Sequence, residues 1–210
     1  MRGDKMSEAE MTTLERIHEA AKKEFIEKGF KSASLRNIVK MVGMTTGAFY
    51  GYYKSKEELF DALVGEQYNT LMERYQDALK RSAAQTPEQQ RASIGIDSSA
   101  FMLMMTEYAC NYRDEFKLLI CCSEGTRYEN MIHDMVEIET EATREFVKVM
   151  EATGAPKYTV DPYLEHMLFS GLFSAFFEII VHDMPKEQAL ENVRELLAFY
   201  TAGWRKIMGL

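Results

Sequence analysis

Helix-breaking residues are scarce along this chain. Its 210 residues include only 4 Pro and 12 Gly. The long stretches between them are rich in Glu, Lys, Ala, Leu and Met, all of which favour helices. Within these stretches apolar side chains recur every three or four residues, the spacing of one face of an α-helix. The sequence therefore predicts an all-α fold.

Composition excludes several classes of protein. Hydrophobic residues make up 46% of the chain, which is enough for a packed core and argues against disorder. The N-terminus lacks the pattern of a signal peptide, and we expect no membrane span, because the most apolar stretch, Met167–Val181, contains Glu178 and two serines. With three cysteines, a disulfide framework is not expected, and the predicted location is the reducing cytoplasm.

Charge is unevenly distributed along the chain. The net charge is −8, but residues 1–62 sum to +1 and residues 63–210 to −9. The segment from Lys28 to Lys56 contains six basic residues and no Asp or Glu. Affinity for DNA depends on cations local to the phosphates rather than on total charge. The segment is therefore a candidate for nucleic-acid binding, although a solvated surface could show the same gap by chance.

Helix caps divide the first 81 residues into four helices. The first spans about 13–28 after a capping box at Thr12, and the second lies between Ser34 and Gly43. The third runs from Thr45 or Thr46 to about Tyr53, and the fourth spans about 56–81. Two short helices joined by a tight glycine turn are the layout of a helix-turn-helix, whose second helix enters the major groove of DNA.

The third helix has an unusual outward face. At about 100° per residue, Phe49 and Tyr53 point to the core, and Gly47, Ala48 and Gly51 lie opposite them. Small residues stabilise a short helix poorly, but they let its backbone approach another surface closely. A three-helix bundle without a nucleic-acid role is the alternative. The acid-free segment and the small face together favour DNA.

The stretch Ile17 to Leu63 resembles the N-terminal domain of the TetR (tetracycline repressor) family. The matching residues are Phe25, Gly29-Phe30, Ser34-Leu35-Arg36, Ile38, Gly43, Gly47-x-Phe49-Tyr50, Tyr53 and Lys56-Glu57-Glu58-Leu59. The resemblance implies a two-domain, all-helical homodimer that regulates transcription by binding operator DNA. A small molecule bound to the C-terminal domain would release the operator, so the chain would act as a repressor.

Two domains are expected. Residues 1–62 form the predicted DNA-binding domain, with a linking helix that continues to about residue 81, and residues 63–210 form the helical ligand-binding and dimerisation domain. We expect base reading by the hydroxyls of Thr45 and Thr46 and by the methyl group of Ala48, and phosphate contacts from Lys56 and two tyrosines. The full set of predicted DNA contacts is Ser34, Arg36, Thr45, Thr46, Gly47, Ala48, Tyr50, Tyr52, Lys54 and Lys56.

The last two predicted helices, at about 161–183 and 186–208, indicate an interface between copies. The earlier of the two is apolar almost all round, and one protomer offers too little surface to cover both. We therefore expect a homodimer through this helix pair, as the resemblance also implies.

Methionine and aromatic residues on the middle helices could line an effector pocket, because such side chains adapt to varied apolar ligands. The candidates are Met102, Met105, Tyr108, Phe116, Arg127, Met131, Met135 and Phe173. Ordinary core packing is the competing interpretation for most of them.

The sequence gives less support to two other classes of protein. A thiol- or metal-responsive regulator using Cys121 and Cys122 is the alternative function, but no metal-ligand spacing is present and we expect no metal and no cofactor. The sequence also lacks a nucleophile motif, a phosphate-binding loop and a paired His/acid motif, so no enzyme is predicted.

Overall fold

The protein is entirely helical. The structure is a computed structural model that describes residues 11–155, 157–158 and 160–209. About 79% of the chain is helix, with no strand in the described residues, so the predicted all-α class is confirmed. The two outer ends of the predicted domains lie outside the described residues. So does Pro156, where the sequence predicts a break between helices together with Gly154 and Ala155.

Ten helices follow one another along the described part of the chain. They are α1 (Thr13–Ser32), α2 (Leu35–Val42), α3 (Thr46–Phe49), α4 (Lys56–Ala83), α5 (Pro87–Ala92), α6 (Ile96–Asn111), α7 (Arg113–Cys121), α8 (Met131–Ala152), α9 (Pro162–Val181) and α10 (Lys186–Met208). The predicted capping box of Thr12 and Glu15 is present at the start of α1. Gly29 has a φ of 70° inside α1, so the regular helix ends there, as predicted.

Helix α5 lies in the segment from Thr86 to Asp97, which the sequence alone predicts to be a polar break around Pro87 and Gly95. Thr86 and Gln89 form a capping box, and Pro87 occupies the first turn of the helix. Proline is well tolerated at that position because its missing N–H would have no partner inside the helix. Gly95 then adopts a φ of 81° and ends the turn before α6.

The chain divides into two compact units. Unit 1 comprises the described residues of Met1–Tyr68 together with Asp114–Glu129, and unit 2 comprises the described residues of Asn69–Arg113 and Asn130–Leu210. Helix α4 begins in unit 1 and ends in unit 2. The segment Asp114–Glu129 thus belongs to the same compact unit as the helix-turn-helix, although the sequence places it far downstream.

Aromatic side chains form the centre of each unit. In unit 1 the rings of Phe25, Phe30 and Phe60 lie 5.2–5.8 Å apart, in geometries favourable for aromatic pairs. In unit 2 the ring of Tyr75 stacks on Phe101 at 5.5 Å and meets the edge of Phe173 at 5.9 Å.

Helix α9 is the most apolar helix described. By length and composition it could cross a membrane, and 39% of its most apolar window is buried within the protein. Length and composition do not by themselves indicate a membrane span, because a core helix of a soluble protein satisfies the same criteria.

Candidate nucleic-acid interface

Helix α2 is held at both ends by charged side chains of α1. At its start, the carboxylate of Glu24 accepts hydrogen bonds from the backbone N–H of Ser34 at 3.1 Å and from Asn37 Nδ2 at 3.0 Å. At its end, Arg16 Nη2 donates to the carbonyl of Val42 at 2.7 Å. A helix carries partial positive charge at its N-terminus and partial negative charge at its C-terminus. An anion at the first and a cation at the second therefore stabilise the helix. These two contacts fix the first helix of the helix-turn-helix against α1.

Glu24 is a buried charge, with only 4% of its surface exposed. Burial disfavours the carboxylate, but the hydrogen bonds from Ser34, Lys28 and Asn37 outweigh it, and the pKa of Glu24 falls below its ordinary value. Lys28 Nζ contributes at 3.0 Å. The carboxylate is therefore ionised at neutral pH and fully hydrogen-bonded. Sequence reasoning missed both Glu24 and Arg16, because their partners lie 10 and 26 residues away.

The turn between α2 and α3 is built as the sequence predicts. Gly43 adopts the left-handed conformation at φ 71° and ends α2. Two residues on, the side-chain oxygen of Thr45 accepts the backbone N–H of Ala48 at 3.1 Å and caps α3. Helix α3 itself spans only four residues, fewer than predicted, and continues as turns through Tyr52.

The outward face of α3 is exposed and made of small residues. Thr45, Thr46, Gly47 and Ala48 are all exposed, whereas Phe49 is fully buried. A Cβ added at Gly47 would meet only the side-chain oxygen of Thr45, at 3.9 Å. The protein's own packing therefore does not require glycine there.

The tyrosines after α3 divide between surface and core. Tyr50 and Tyr52 are 54% and 46% exposed, and their rings lie on the surface beside the small face. Tyr53 is buried, and its hydroxyl lies 2.5 Å from His18 Nε2 on α1. The sequence prediction that Tyr53 faces the core is correct.

Three cations of the acid-free segment are free to meet an external anion. Within the described residues, Arg36, Lys40 and Lys54 have no ion pair and no side-chain hydrogen bond, and all three are exposed. Arg36 and Lys40 are four residues apart on α2 and thus share one face of that helix. The other three cations are engaged internally: Lys28 with Glu24, Lys31 with Glu124 at 2.8 Å, and Lys56 with backbone carbonyls.

Lys56 closes the C-terminal end of α1. Its ammonium donates to the carbonyls of Phe30 at 2.6 Å and Ala33 at 3.1 Å, and it lies 4.4 Å from the centre of the Phe30 ring. The unpaired carbonyls at the end of a helix attract a cation. This explains a lysine in the first turn of α4 without a bound anion. Its predicted contact with a DNA phosphate stays a prediction.

Ser34 occupies the N-cap position of α2, but its side chain makes no capping hydrogen bond. Ser34 is half-buried, and the Glu24 carboxylate accepts a hydrogen bond from its backbone N–H. Glu24 thus takes part of the capping role that the sequence assigned to Ser34.

The predicted effector residues fall in different units. Six of them belong to unit 2: Met102, Met105, Tyr108, Met131, Met135 and Phe173. Phe116 and Arg127 belong to unit 1. Arg127 is exposed; its guanidinium lies 2.5 Å from Asp61 Oδ1 and donates to the Tyr128 hydroxyl at 2.8 Å. Arg127 therefore already has partners inside unit 1.

Unit 2 also contains polar groups that the sequence did not single out. The hydroxyl of Tyr75 donates a short hydrogen bond to Glu139, and burial raises the pKa of both side chains. On α8, the helix that also carries Glu139, the hydroxyl oxygen of Thr140 is buried without a hydrogen-bond partner among the described residues. A buried hydroxyl left unpaired costs about 1–3 kcal/mol. The Thr140 hydroxyl oxygen is therefore an atom to which a ligand could donate a hydrogen bond.

The thiol-sensing alternative gains no support. Burial raises the pKa of Cys122 to about 11, so at neutral pH the side chain is a neutral thiol, which is the unreactive form. None of the three cysteines forms a disulfide within the described residues. No three His, Cys, Asp or Glu side chains within the described ranges lie close enough to hold a metal ion.

Helices α1, α2 and α3 together form a helix-turn-helix domain, the class of fold whose second short helix enters the major groove in DNA-binding proteins. The sequence profile of "Bacterial regulatory proteins, tetR family" matches residues 17–63, which cover α1, α2, α3 and the start of α4. The N-terminal part of the chain is therefore similar to the DNA-binding domain of TetR-family bacterial transcriptional regulators.

Relatives agree with this assignment. An HTH-type transcriptional regulator, UidR, of Escherichia coli is 31% identical over 77 residues, 37% of this chain and 39% of the relative. The uncharacterized HTH-type regulator YdgC of Bacillus subtilis is 29% identical over 102 residues, 49% of this chain and 48% of the relative. The chain thus matches less than half the length of these curated relatives.

Solved structures extend the likeness of fold to the rest of the chain. A TetR-family regulator from Streptomyces coelicolor A3 superposes with a TM-score of 0.61 at 16% identity, covering 97% of this chain and 96% of that one. A TetR-family regulator from Bordetella parapertussis superposes with a TM-score of 0.61 at 15% identity, covering 89% of this chain and 93% of that one. At these identities the likeness concerns the fold alone.

Proposed function

We propose that this protein is a cytoplasmic transcriptional repressor that binds operator DNA as a homodimer and leaves it when a small molecule binds unit 2. The observation that carries the proposal is the open space around Gly47. A glycine that the protein's own packing does not require indicates an external surface that approaches the backbone of α3 closely. Three exposed, unpaired cations on the same helix-turn-helix supply attraction to phosphates.

In this proposal the predicted contacts divide by role. Thr45, Thr46 and Ala48 read base edges in the major groove, where the Ala48 methyl can meet a thymine methyl. Tyr50 and Tyr52 donate hydroxyls to the DNA backbone, and Arg36 and Lys54 bind phosphates. Ser34, Gly47 and Lys56 complete the predicted set, Gly47 by letting the backbone approach closely.

The proposed dimer forms through α9 and α10. On α9, Tyr163 and Met167 are 82% and 67% exposed, and on α10 Phe199 is 75% exposed. A Cβ added at Gly203, one turn after Phe199, would meet nothing within 4 Å. Large apolar side chains exposed beside small ones are typical of a helix–helix interface between copies. Regulators of this family act as dimers.

The effector site is proposed to lie in unit 2, walled by Met102, Met105, Tyr108, Met131, Met135 and Phe173. Tyr75, Glu139 and Thr140 supply the polar contacts, and the unpaired Thr140 hydroxyl favours an effector with a hydrogen-bond donor. Effector contacts from Phe116 and Arg127 stay a prediction. The domain division at residues 62 and 63 is likewise part of the proposal.

Selection of binding sites from a random duplex library tests DNA recognition. We expect a two-fold symmetric site whose half-sites are about one helical turn, or roughly 34 Å, apart. Thr46→Ala should change the preferred bases, whereas Thr13→Ala, an exposed threonine on α1, should not. No enrichment over random DNA would contradict the proposal.

A thermal-shift screen of small molecules then tests effector response. A ligand of unit 2 should raise the unfolding temperature and release the selected operator, and Thr140→Val should weaken that ligand. A ligand that stabilises the protein but leaves operator binding unchanged would contradict the repressor mechanism.

A further inference from the structure

A groove of about 440 Å³ lies within unit 2, between the start of α6 and one side of α10. Arg205 Nη2 donates to the carbonyl of Ile94 at 3.3 Å, and Gly95 lies against Thr201. Leu103 lies about two turns after Gly95 on α6, and Arg194 lies about three turns before Arg205 on α10. Both residues line the same groove. The two helices therefore run antiparallel along the groove.

The residues that line the groove are partly polar and partly apolar. One end carries Arg205, the hydroxyl of Thr201 and Ser99. The lining also includes apolar side chains, among them Leu103, Leu197 and Ala198. The described lining residues include two arginines and no acidic residue, in a chain whose net charge is −8. Such a lining attracts an anion with an apolar body.

The groove faces away from the proposed dimer interface. At about 100° per residue along α10, the directions of Arg194, Thr201 and Arg205 fall within about 40° of one another. Phe199 and Gly203 point to the opposite side of the helix, roughly 160° or more from Thr201. A dimer formed through the Phe199 side leaves the groove open to solvent.

The arginines favour a carboxylate over a doubly charged phosphate. Their Cα atoms are 11 residues apart on α10, or about 16 Å along the helix axis, so the pair is spaced along the groove rather than clustered around one group. A single planar guanidinium matches a carboxylate with two parallel hydrogen bonds. Arg205 is the better oriented of the two, because its bond to the Ile94 carbonyl restricts the side chain.

We propose that this α6–α10 groove is a second ligand site, distinct from the effector site of the proposed function, for a small carboxylate with an apolar body. The carboxylate binds Arg205 and the Thr201 hydroxyl, and the apolar body lies on Leu197, Leu103 and Ala198. Arg194 borders the far end of the groove. The proposal requires neither operator binding nor the effector mechanism.

Calorimetric titration of the full chain with octanoate tests the site, with octanol as the neutral match and octylamine as the cationic one. We expect octanoate to bind at least about tenfold more tightly than either match, the effect of one charge-assisted pair. Arg205→Gln should weaken octanoate binding by a similar factor, and Ala198→Phe should block octanoate binding by filling the groove. Circular dichroism confirms that each variant is folded.

Lys206→Gln is the matched control, since it removes a charge from the next position of α10, off the groove, and octanoate affinity should not change. Octanol binding as tightly as octanoate would overturn the proposal. So would octanoate binding that is insensitive to both Arg205→Gln and Ala198→Phe, because the ligand would then occupy another site. Operator binding, measured separately on the same variants, should be unaffected, which keeps this test independent of the proposed function.

Discussion

The outward face of α3 and the exposed face of the α9–α10 pair are both unusual surfaces, and they differ in chemistry. The α3 face carries hydroxyls and small residues beside free cations, whereas α9 and α10 expose Met167 and Phe199. Each face includes a glycine with open space around it, Gly47 on α3 and Gly203 on α10. Both faces therefore permit a close approach from outside, but by different partners.

The difference indicates what each face binds. Phosphates attract cations and hydroxyls, and their binding weakens with salt, so the α3 face suits DNA. Large exposed apolar side chains gain free energy only when another apolar surface covers them, and this gain depends weakly on salt. The α9–α10 face suits a second copy of the chain.

The largest expected effect is on the apolar face. The double substitution Met167→Asp with Phe199→Asp should convert the dimer to a monomer, because two buried, unpaired charges would appear in each half of the interface. Sedimentation velocity at micromolar concentration measures the change. Met104→Asp, which charges an exposed methionine of α6, is the control and should remain dimeric. A double variant that still sediments as a dimer would place the interface elsewhere.

The next effect concerns how α2 is held. Glu24→Gln should lower the free energy of unfolding by about 2 kcal/mol, because a neutral amide cannot accept all the hydrogen bonds of the buried carboxylate. Chemical denaturation measures it, and Glu27→Gln, an exposed neighbour on α1, should change little. Equal free energies of unfolding for Glu24→Gln and Glu27→Gln would contradict a stabilising role for the Glu24 carboxylate.

The stabilisation by Glu24 should also depend on pH. Its pKa is lowered in the folded state, so the stabilisation is complete above the ordinary pKa of a glutamate and is lost as the pH falls through the lowered value. Wild type should therefore lose more stability than Glu24→Gln on acidification below about pH 4.5. Parallel stability curves for the two proteins would assign the acid sensitivity to other groups.

A smaller effect separates two lysines of the acid-free segment. Lys54 is exposed and unpaired among the described residues, so Lys54→Gln should reduce the salt dependence of operator binding by about one unit of slope. Lys56→Gln should also lower thermal stability, since its ammonium caps α1. Binding isotherms at several salt concentrations and a melting curve test both. Equal slopes for wild type and Lys54→Gln would remove Lys54 from the phosphate contacts.

Local signals made most helices predictable from the sequence. The capping box of Thr12 and the glycine at Gly43 act within a few residues, and both occur as predicted. Helix α5 was missed because Pro87 was interpreted as a break, although proline after an N-cap threonine favours the start of a helix. The outward face of α3 followed from helix geometry alone.

Contacts between distant parts of the chain were not predictable. Glu24 was an ordinary charged residue on α1 until the fold brought Ser34 and Asn37 to it. The sequence did not show that the ammonium of Lys56 donates to the carbonyls of Phe30 and Ala33, because these residues lie more than 20 positions earlier in the chain. Periodicity identifies buried faces, but it does not identify which charged groups meet across them.

The central claim is that α3 is small on its outer face because DNA approaches it there, and Gly47→Ala tests this most directly. Alanine favours helix over glycine by up to about 1 kcal/mol, and the site has room for its methyl group, so the variant should be as stable as wild type or more so. Operator affinity, measured by fluorescence anisotropy on the same preparation, should nevertheless fall by roughly tenfold, the effect of about 1.4 kcal/mol. A variant that is stabilised and binds operator with unchanged affinity would contradict the claim.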